Sequence, residues 1–497
     1  MGKKNYPFWG MGFEDYAFSN SQLRIRIEDQ TRRLGKDSVE NQLKTWILLH
    51  SLTFVAEMAI IRPFRAWRYN EAVVKDIDRK FSPLFDVVGP EELQQLYKIP
   101  NNSIHLSVPR SLKQAKAKTI EWKSKEVIMQ DPLPGIYIYY QYFWLYGDPK
   151  RYVRKGFICM IRMDDEQTKS EPGIILHENT ITSSVKDRCE VLEATLLNIA
   201  PTHGLYEDPE NSLEKLMDSY IEHPYYEHID YQGVTNKLAI VQNKEDIQKF
   251  LRALKGKPVY LADGHHRFAS SELLKKKLKE EGQLTQDDSI VNYHLIYLTN
   301  LYASDISILP IHRVVHLTTA PDETELLHKL ADYFEITDAT NFRAPLYEEL
   351  QTGISFGMAL GNKQYLLRLL PSIKPATDIP LKLPVPVKNL EYTILHYFIF
   401  DRILGMEYST QTGNDSIEYI KDYNRAMTMA KENPATLSFI TRGLSLKNML
   451  DVCNAGSLMP QKSTYFYPKV ICGPVFASID EKENDSPFDS CFRLPPP

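Results

Sequence analysis

The chain has 497 residues, and 59 Lys and Arg against 64 Asp and Glu give a formal net charge of −5. Hydrophobic residues make up 43%, charged residues 25% and aromatic residues 11%, which is typical of globular proteins and enough chain for about three domains. This composition excludes a disordered, collagen-like or coiled-coil protein, and the net charge gives no support for a nucleic-acid partner. The five cysteines include no Cys-x-x-Cys pair, which predicts reduced thiols and no cysteine zinc site.

No apolar run reaches the 18 or more residues that a membrane-spanning helix needs. The longest candidate, residues 46–61, is interrupted by His50, Ser51 and Glu57. The N-terminal residues lack the apolar segment and cleavage site of a signal peptide. We therefore expect a cytoplasmic protein without a membrane partner.

Four regions are expected along the chain. Residues 1–57 are predicted to be a weakly ordered N-terminal extension, either native or an upstream reading frame joined to a true start at Met58. Residues 58–300 are expected to form the main domain, and residues 301–480 a second α+β lobe that contributes to the same site. Residues 481–497 are expected to be a C-terminal tail.

Strand-like and helical patterns alternate from residue 58 onward. Short β-rich runs predict strands at 135–144, 155–163, 258–262, 290–299, 354–360 and 363–370. Amphipathic or charged runs predict helices at 115–126, 186–199, 243–256, 270–281, 322–334, 389–404, 416–432 and 445–455. Gly361-Asn362 predicts a two-residue hairpin, and the Pro- and Lys-rich residues 371–388 predict a linker or long loop. This alternation predicts an α/β or α+β fold of mixed sheets with packed helices.

The strongest local signal is the sequence Asp263-Gly264-His265-His266-Arg267, which follows a predicted strand and precedes a predicted helix. Gly264 lets the backbone approach a ligand, and the N–H groups of a helix N-terminus favour an anion. Arg267 offers a fork of donors that suits phosphate. Asp263, His265 and His266 are candidate acid/base groups or metal ligands. Alternatively, Asp263 only caps the helix and the histidines are surface residues.

Three other parts of the chain carry candidate groups for an anionic ligand. His177 and Glu178 follow an apolar run and are a candidate acid/base pair, with Glu178 as a candidate catalytic residue. The candidate phosphate- or nucleotide-binding residues are Arg188, His312, Arg313, Lys462, Ser463, Thr464 and Lys469. In the alternative interpretation these residues bind no ligand and are a strand end, helix-start ion pairs and an aromatic strand with solvated lysines. If these clusters converge they form one anion site, although the chain has no Walker-type loop.

The turn resembles the Asp-Gly-His-His-Arg motif of the domain of unknown function family 1015, an uncharacterised bacterial and archaeal family. Further segments resemble that family in the same order, at residues 58–70, 81–87, 102–106, 177–178, 187–188, 309–313 and 459–469. The resemblance covers residues 58 to the late 470s, so the chain is identified as a member. The family has no firmly assigned activity.

The strand–Gly-x-x-Arg–helix unit also resembles, more distantly, the nucleotide-phosphate-binding box of the ParB/sulfiredoxin superfamily. That superfamily includes free-serine kinases with a similar box. The resemblance implies a phosphate-binding role for Gly264, His266 and Arg267. Sulfiredoxins have their catalytic cysteine where this chain has His265, which argues against thiol repair chemistry.

These observations favour a phosphate- or nucleotide-binding enzyme, either a phosphotransferase or a phosphohydrolase. Its partner would be a small anionic metabolite such as serine or phosphoserine, and its cofactors Mg²⁺ and a nucleotide or pyrophosphate. Asp263 or Glu178 would be the base or the Mg²⁺ ligand, while Lys462 and Lys469 would neutralise charge.

Two other classes of function stay open. The first is a ParB-like nucleotide-binding switch or scaffold without small-molecule catalysis. The second is a metal-dependent hydrolase that uses His265, His266 and Asp263. Adjacent residues on a helix point about 100° apart, so joint ligation by both histidines requires a bent helix entry.

Overall fold

The structure is a computed structural model that describes residues 59–145, 148–164, 172–284, 286, 288–342, 345–350, 353–460 and 462–484. The described residues belong to one compact unit. The predicted extension, residues 1–57, lies outside the described residues, as does most of the predicted tail.

Strands run through the whole described part of the chain. In chain order they are β1 (Ile61–Arg62), β2 (Trp67–Tyr69), β3 (Ile128–Gln130), β4 (Ile136–Trp144), β5 (Arg151–Arg162), β6 (Ile174–Ile175), β7 (Leu197–Asn198), β8 (Thr202–Tyr206), β9 (Tyr226–Ile229), β10 (Thr235–Val241), β11 (Val259–Asp263), β12 (Tyr293–Asn300), β13 (Ser307–Ile308), β14 (His312–His316), β15 (Phe334–Asp338), β16 (Ser355–Leu360), β17 (Lys363–Leu369), β18 (Ile417–Ile420), β19 (Thr436–Ile440), β20 (Phe466–Tyr467) and β21 (Ala477–Ser478).

Helices alternate with these strands. In chain order they are α1 (Pro90–Leu96), α2 (Ile104–Ser107), α3 (Leu112–Ser124), α4 (Thr182–Thr195), α5 (Glu214–Ile221), α6 (Lys244–Leu254), α7 (His265–Glu280), α8 (Glu323–Ala331), α9 (Leu346–Glu349), α10 (Pro375–Asp378), α11 (Val385–Lys388), α12 (Glu391–Ile394), α13 (Tyr423–Glu432), α14 (Leu446–Asn454) and α15 (Glu481–Asn484). A π-helical segment, Leu395–Asp401, continues α12.

The larger sheet has nine strands among the described residues, in the order β6-β11-β8-β12-β5-β4-β10-β9, with β1 beside β5. Its pairs are antiparallel except β6 with β11 and β8 with β12, which are parallel. Every residue of β12 is buried, because the sheet is covered on both faces. Tyr139 and Tyr297 belong to the core on one face, and Ile138 and Phe157 to the core on the other.

The second sheet is antiparallel, in the order β15-β17-β16-β19-β14-β18. The predicted hairpin at Gly361-Asn362 is confirmed, because Leu360 pairs with Lys363 across it. The described residues thus confirm the predicted class, mixed sheets with packed helices.

Two local predictions differ from the structure. The predicted helix 416–432 is wrong at its start, where β18 precedes α13. The helix begins only at Tyr423, because the side chain of Asp422 accepts a hydrogen bond from the Arg425 N–H and caps it there. The predicted loop 371–388 contains the short helices α10 and α11, each with a proline in its first turn, where the missing N–H carries no cost.

A separate apolar cluster joins the larger sheet to helices and loops of the C-terminal half. Leu205 and Tyr260 of the larger sheet pack with Tyr392, Met449 and Phe466 from the C-terminal half. This packing places the segment 459–469 beside the end of β11, where the chain turns into α7. The candidate site lies at this junction.

Candidate functional site

The turn from β11 into α7 requires a glycine. Gly264 adopts a φ of 91° as the residue before the helix, a conformation that L side chains rarely adopt. A Cβ there would lie 2.7 Å from both Arg267 Nη2 and Thr202 Cγ2. The glycine therefore allows Arg267 and the neighbouring strand to pack against the turn.

Asp263 ends β11 and binds two cations at once. Lys469 Nζ contacts its Oδ1, and Arg267 Nη2 donates to its Oδ2 at 3.2 Å. Burial alone would raise the pKa of Asp263, but the two positive charges outweigh burial and hold that pKa below its usual range. A Mg²⁺ ion on Asp263, as the sequence suggested, would have to displace one of these partners.

Arg267 uses its guanidinium largely within the protein. Its Nη1 donates to the carbonyl oxygens of Pro201 at 2.5 Å and Ala200 at 3.3 Å, in addition to the bond to Asp263. Its side chain is 12% exposed. Arg267 therefore ties α7 to the segment before β8, and less of its donor capacity is open to a phosphate than the sequence suggested.

Arg188 lies near Arg267 at a small cavity. Both side chains line a space of about 50 Å³ together with Ser107 and Cys472. Arg188 donates to the Ser107 carbonyl oxygen and pairs with Asp187. The ion pair that the sequence left open as an alternative is present, but it lies within α4 and not at a helix start, because the helix begins at Thr182.

His177, Glu178 and His265 form a cluster. One potential ligand atom from each residue lies within 4.8 Å of the others, and the two imidazole rings meet at 90° with centroids 4.4 Å apart. Burial lowers the pKa of His177 to about 4, against a smaller opposing effect of the Leu261 carbonyl, and burial lowers the pKa of His265. Both rings are therefore neutral near pH 7.

His266 lies apart from this cluster. Its Nε2 accepts a hydrogen bond from the Ile181 N–H at 2.9 Å. The side chains of adjacent residues point in different directions on a helix, so α7 directs His265 inward and His266 toward the segment before α4. The structure therefore groups His265 with His177 and Glu178, and not with His266 and Asp263.

The segment 459–464 holds Glu178 and His177 in place. The Met459 N–H donates to the His177 carbonyl oxygen at 2.7 Å, and the Lys462 N–H donates to Glu178 Oε1 at 3.3 Å. Thr464 Oγ1 lies 3.1 Å from His177 Nε2. Ser463 is buried and donates its hydroxyl to the Pro460 carbonyl oxygen, which is a contact within the loop.

Arg313 and His312 are buried residues that bond to the backbone of the protein itself. Arg313 is fully buried, stacks over the Tyr392 ring at 3.7 Å and donates to the Lys462 carbonyl oxygen at 3.0 Å. His312 is also buried, and its Nδ1 accepts from the Thr441 N–H. These contacts place both residues behind the Lys462 loop.

Lys421 is a site residue that the sequence did not indicate. Lys421 Nζ lies 4.2 Å from the Tyr465 ring centroid and Lys469 Nζ 5.1 Å from the same centroid. Although Lys421 is exposed to solvent, desolvation by the surrounding protein and the charges of Lys469 and Lys462 lower its pKa to about 8. We call the candidate site formed by Lys421, Lys462 and Lys469 near Tyr465 the cationic cleft.

Glu178 faces the same cleft and is partly exposed. Desolvation raises its pKa to about 7, although the Lys462 N–H opposes the shift. A carboxyl group with a pKa near the working pH can exchange a proton with a substrate. The candidate site therefore combines three lysines with a partly exposed carboxyl group, and the neutral imidazoles of His177 and His265 lie buried beside that carboxyl group.

The described residues form a mixed α/β fold in which lysines, carboxylates and imidazoles gather where β11 turns into α7. The chain belongs to a family of proteins of unknown function (DUF1015), whose family model matches residues 61–393. The family membership that the ordered motifs predicted is thereby confirmed, and the match ends before the segment 459–469.

Several solved structures are similar to this chain at low identity. One is a mutant free serine kinase in complex with AMP, at 13% identity and a TM-score of 0.32, covering 63% of this chain and 90% of that chain. Another is a mutant free serine kinase in complex with ADP, at 14% identity and a TM-score of 0.32, covering 68% and 97%. A third is a C-terminally truncated SbnI from Staphylococcus aureus, at 12% identity and a TM-score of 0.31, covering 63% and 89%. No curated protein matches the chain.

Among the described residues, none of the helices has the length and apolar character needed to cross a membrane.

Proposed function

We propose that the cleft binds the phosphate groups of a nucleotide or another small phosphorylated metabolite, and that the protein catalyses phosphoryl transfer or phosphate-ester hydrolysis. The observation that carries the proposal is the arrangement of Lys421, Lys462 and Lys469 around one cleft. Asp263 pairs with Lys469 and the charge of Asp86 acts on Lys421, so the three lysines bring more positive charge than these two carboxylates neutralise.

The lowered pKa of Lys421 supports an anionic ligand. Its neighbours Lys462 and Lys469 repel its charge, and a phosphate between the three ammonium groups would relieve that repulsion. Lysine suits this role because it acts as a point charge on a flexible stem and can follow phosphate oxygens. The N-terminus of α7 adds N–H groups that the helix itself does not use.

The roles of the remaining residues follow from their contacts. Asp263 would hold Lys469 toward the phosphate, and Arg267 and Arg313 would position the turn and the Lys462 loop. Glu178 would act at the reacting oxygen, either as the base that takes its proton or as a metal ligand. A link to serine or phosphoserine rests on the sequence resemblance of the turn to the free-serine kinases.

The test combines binding with product analysis. A thermal-shift screen of the full chain with ATP, ADP, pyrophosphate, serine and phosphoserine should give a rise in melting temperature for phosphorylated compounds, because a ligand stabilises the folded state by mass action. Compounds that bind are then incubated with the protein with and without Mg²⁺, and phosphorylated products and free phosphate are measured. No stabilisation by any phosphorylated compound would contradict the binding site, and stabilisation without any product would contradict the catalytic step.

A further inference from the structure

We propose that His177, Glu178 and His265 bind a divalent first-row transition metal ion, with Zn²⁺, Mn²⁺ and Co²⁺ as the ions to test. This inference is independent of the proposed function, because it rests only on the three-residue cluster. The proposed site also differs from a Mg²⁺ site on Asp263, because both carboxylate oxygens of Asp263 are already paired with cations.

The geometry of the cluster suits a metal ion. One nitrogen from each histidine and one oxygen of Glu178 come within 4.8 Å of one another. Ligand atoms at 2.0–2.2 Å from a metal ion lie roughly 3–3.5 Å apart when adjacent. Small side-chain rotations of His265 and Glu178 would bring the three ligand atoms from this separation to the spacing that a metal ion requires.

The histidines carry nitrogen atoms that are free to bind. His265 is 7% exposed and His177 fully buried, and Nε2 of His265 and Nδ1 of His177 make no hydrogen bond among the described residues. Leaving a buried polar atom unpaired costs free energy. A metal ion would give these atoms a partner.

The contact with Thr464 bears on which nitrogen of His177 carries the proton. When His177 Nε2 donates its proton to Thr464 Oγ1 at 3.1 Å, Nδ1 keeps a free lone pair. Metal-binding histidines typically donate their other N–H to an oxygen in this way. Glu178 is held similarly, because Oε1 accepts from the Lys462 N–H and Oε2 stays available.

The chemistry of the ligands selects the kind of ion. Two imidazoles with one carboxylate suit Zn²⁺ and the other first-row transition ions, whereas Mg²⁺ and Ca²⁺ prefer sites made of oxygen atoms. Three protein ligands leave positions open for water or for a substrate oxygen. The site therefore resembles a catalytic metal site more than a closed structural one.

Co²⁺ is the probe, because its visible absorption reports ligand number and geometry. The full chain, without a histidine tag and treated with a chelator, is titrated with Co²⁺ in the absence of nucleotide. We expect saturation at one ion per chain, visible absorption bands, and displacement of Co²⁺ by Zn²⁺ but not by an equal concentration of Mg²⁺. Absence of the bands, or equal displacement by Mg²⁺, would overturn the proposal.

Variants connect the signal to the cluster. His265→Gln and Glu178→Gln should each weaken Co²⁺ binding at least tenfold, and Thr464→Val should weaken it about tenfold or more. His266→Ala is the matched control, because this neighbouring histidine bonds Ile181 instead, and it should bind Co²⁺ as the wild type does. Circular dichroism checks folding, and if His265→Gln does not fold, Glu178→Gln decides. Unchanged Co²⁺ binding in Glu178→Gln would refute the assignment.

Discussion

Lys469 forms an ion pair with Asp263, although the two residues are 206 positions apart in the sequence. The Lys469 side chain is 6% exposed and that of Asp263 is 16% exposed, so the pair lies mostly within the protein. It attaches the C-terminal segment to the turn before α7 and makes the composite cleft.

The losses of stability from removing Lys469 and from removing Asp263 should be coupled. Lys469→Met leaves Asp263 with a single partner, Arg267, and breaking a mostly buried pair in this way costs about 3–5 kcal/mol. In the double variant Lys469→Met with Asp263→Asn, no carboxylate charge remains, so the loss should be smaller than the sum of the single losses. Urea unfolding of the wild type, both single variants and the double variant measures the coupling. Strictly additive losses would show that the two side chains do not interact.

Gly264→Ala should destabilise the protein more than Gly282→Ala, at the other end of the same helix. Both glycines have a positive φ, but a Cβ at Gly282 would meet nothing within 4 Å. Each substitution carries backbone strain of about 1–2 kcal/mol, and only Gly264→Ala also displaces Arg267 and Thr202. The free energy of unfolding of the two variants is compared in urea. Equal losses would mean that the close packing around Gly264 has no energetic role.

The protein should lose stability in acid through its buried histidines. Burial lowers the pKa of His228 to about 4, below the model-peptide value of 6.5. Because the unfolded chain binds this proton first, the stability from a neutral His228 is fully present above pH 6.5 and is lost as the pH falls toward 4. Each pH unit in that range costs about 1.4 kcal/mol for this side chain.

His228→Leu isolates this effect, since both His228 nitrogens lack a hydrogen bond among the described residues. The variant should match the wild type near pH 7.5 and be the more stable protein at pH 5. Unfolding curves between pH 4.5 and 8 measure the difference. The same pH dependence in both proteins would contradict a buried, neutral His228.

Part of this site could be predicted from the sequence. The local signals were a buried strand that ends at Asp263, a glycine, and a helix that begins with two histidines. These signals identified the strand–turn–helix unit correctly. Local sequence does not show burial, however. Arg313 and Ser463 were expected to contact a ligand, yet their polar atoms bond to backbone carbonyl oxygens of the protein itself.

The residues that the sequence missed depend on long-range contacts. Lys421 was placed within a predicted helix, whereas it follows the edge strand β18 and so reaches the cleft. The sequence paired His177 with Glu178, but it did not indicate that the His177 ring lies against His265. Local sequence does not show such contacts. His177 meets His265 because β6 and β11 pair side by side in the larger sheet. Lys421 meets Tyr465 through tertiary packing.

Anion binding should depend on the charge of Lys421. This side chain is an ammonium below its pKa of about 8 and neutral above it, so affinity for ADP should fall as the pH rises from 7 to 9. Bound ADP favours the charged form, so binding near pH 8 should take up protons. Calorimetry at pH 8 in buffers of different ionisation enthalpy measures this uptake. Lys421→Met should abolish it, and an unchanged uptake in that variant would assign the proton to another group.

The most direct test of the cationic cleft is calorimetric titration of ADP into the wild type, Lys421→Met, Lys462→Met and the control Lys249→Met. Lys249 is an exposed lysine on α6, paired with Asp246 and outside the cleft. Loss of a charge-assisted phosphate contact costs about 1.5–3 kcal/mol, so affinity should fall roughly ten- to a hundredfold in the two cleft variants. The control should bind as the wild type does. Equal ADP affinity in all four proteins would contradict the account.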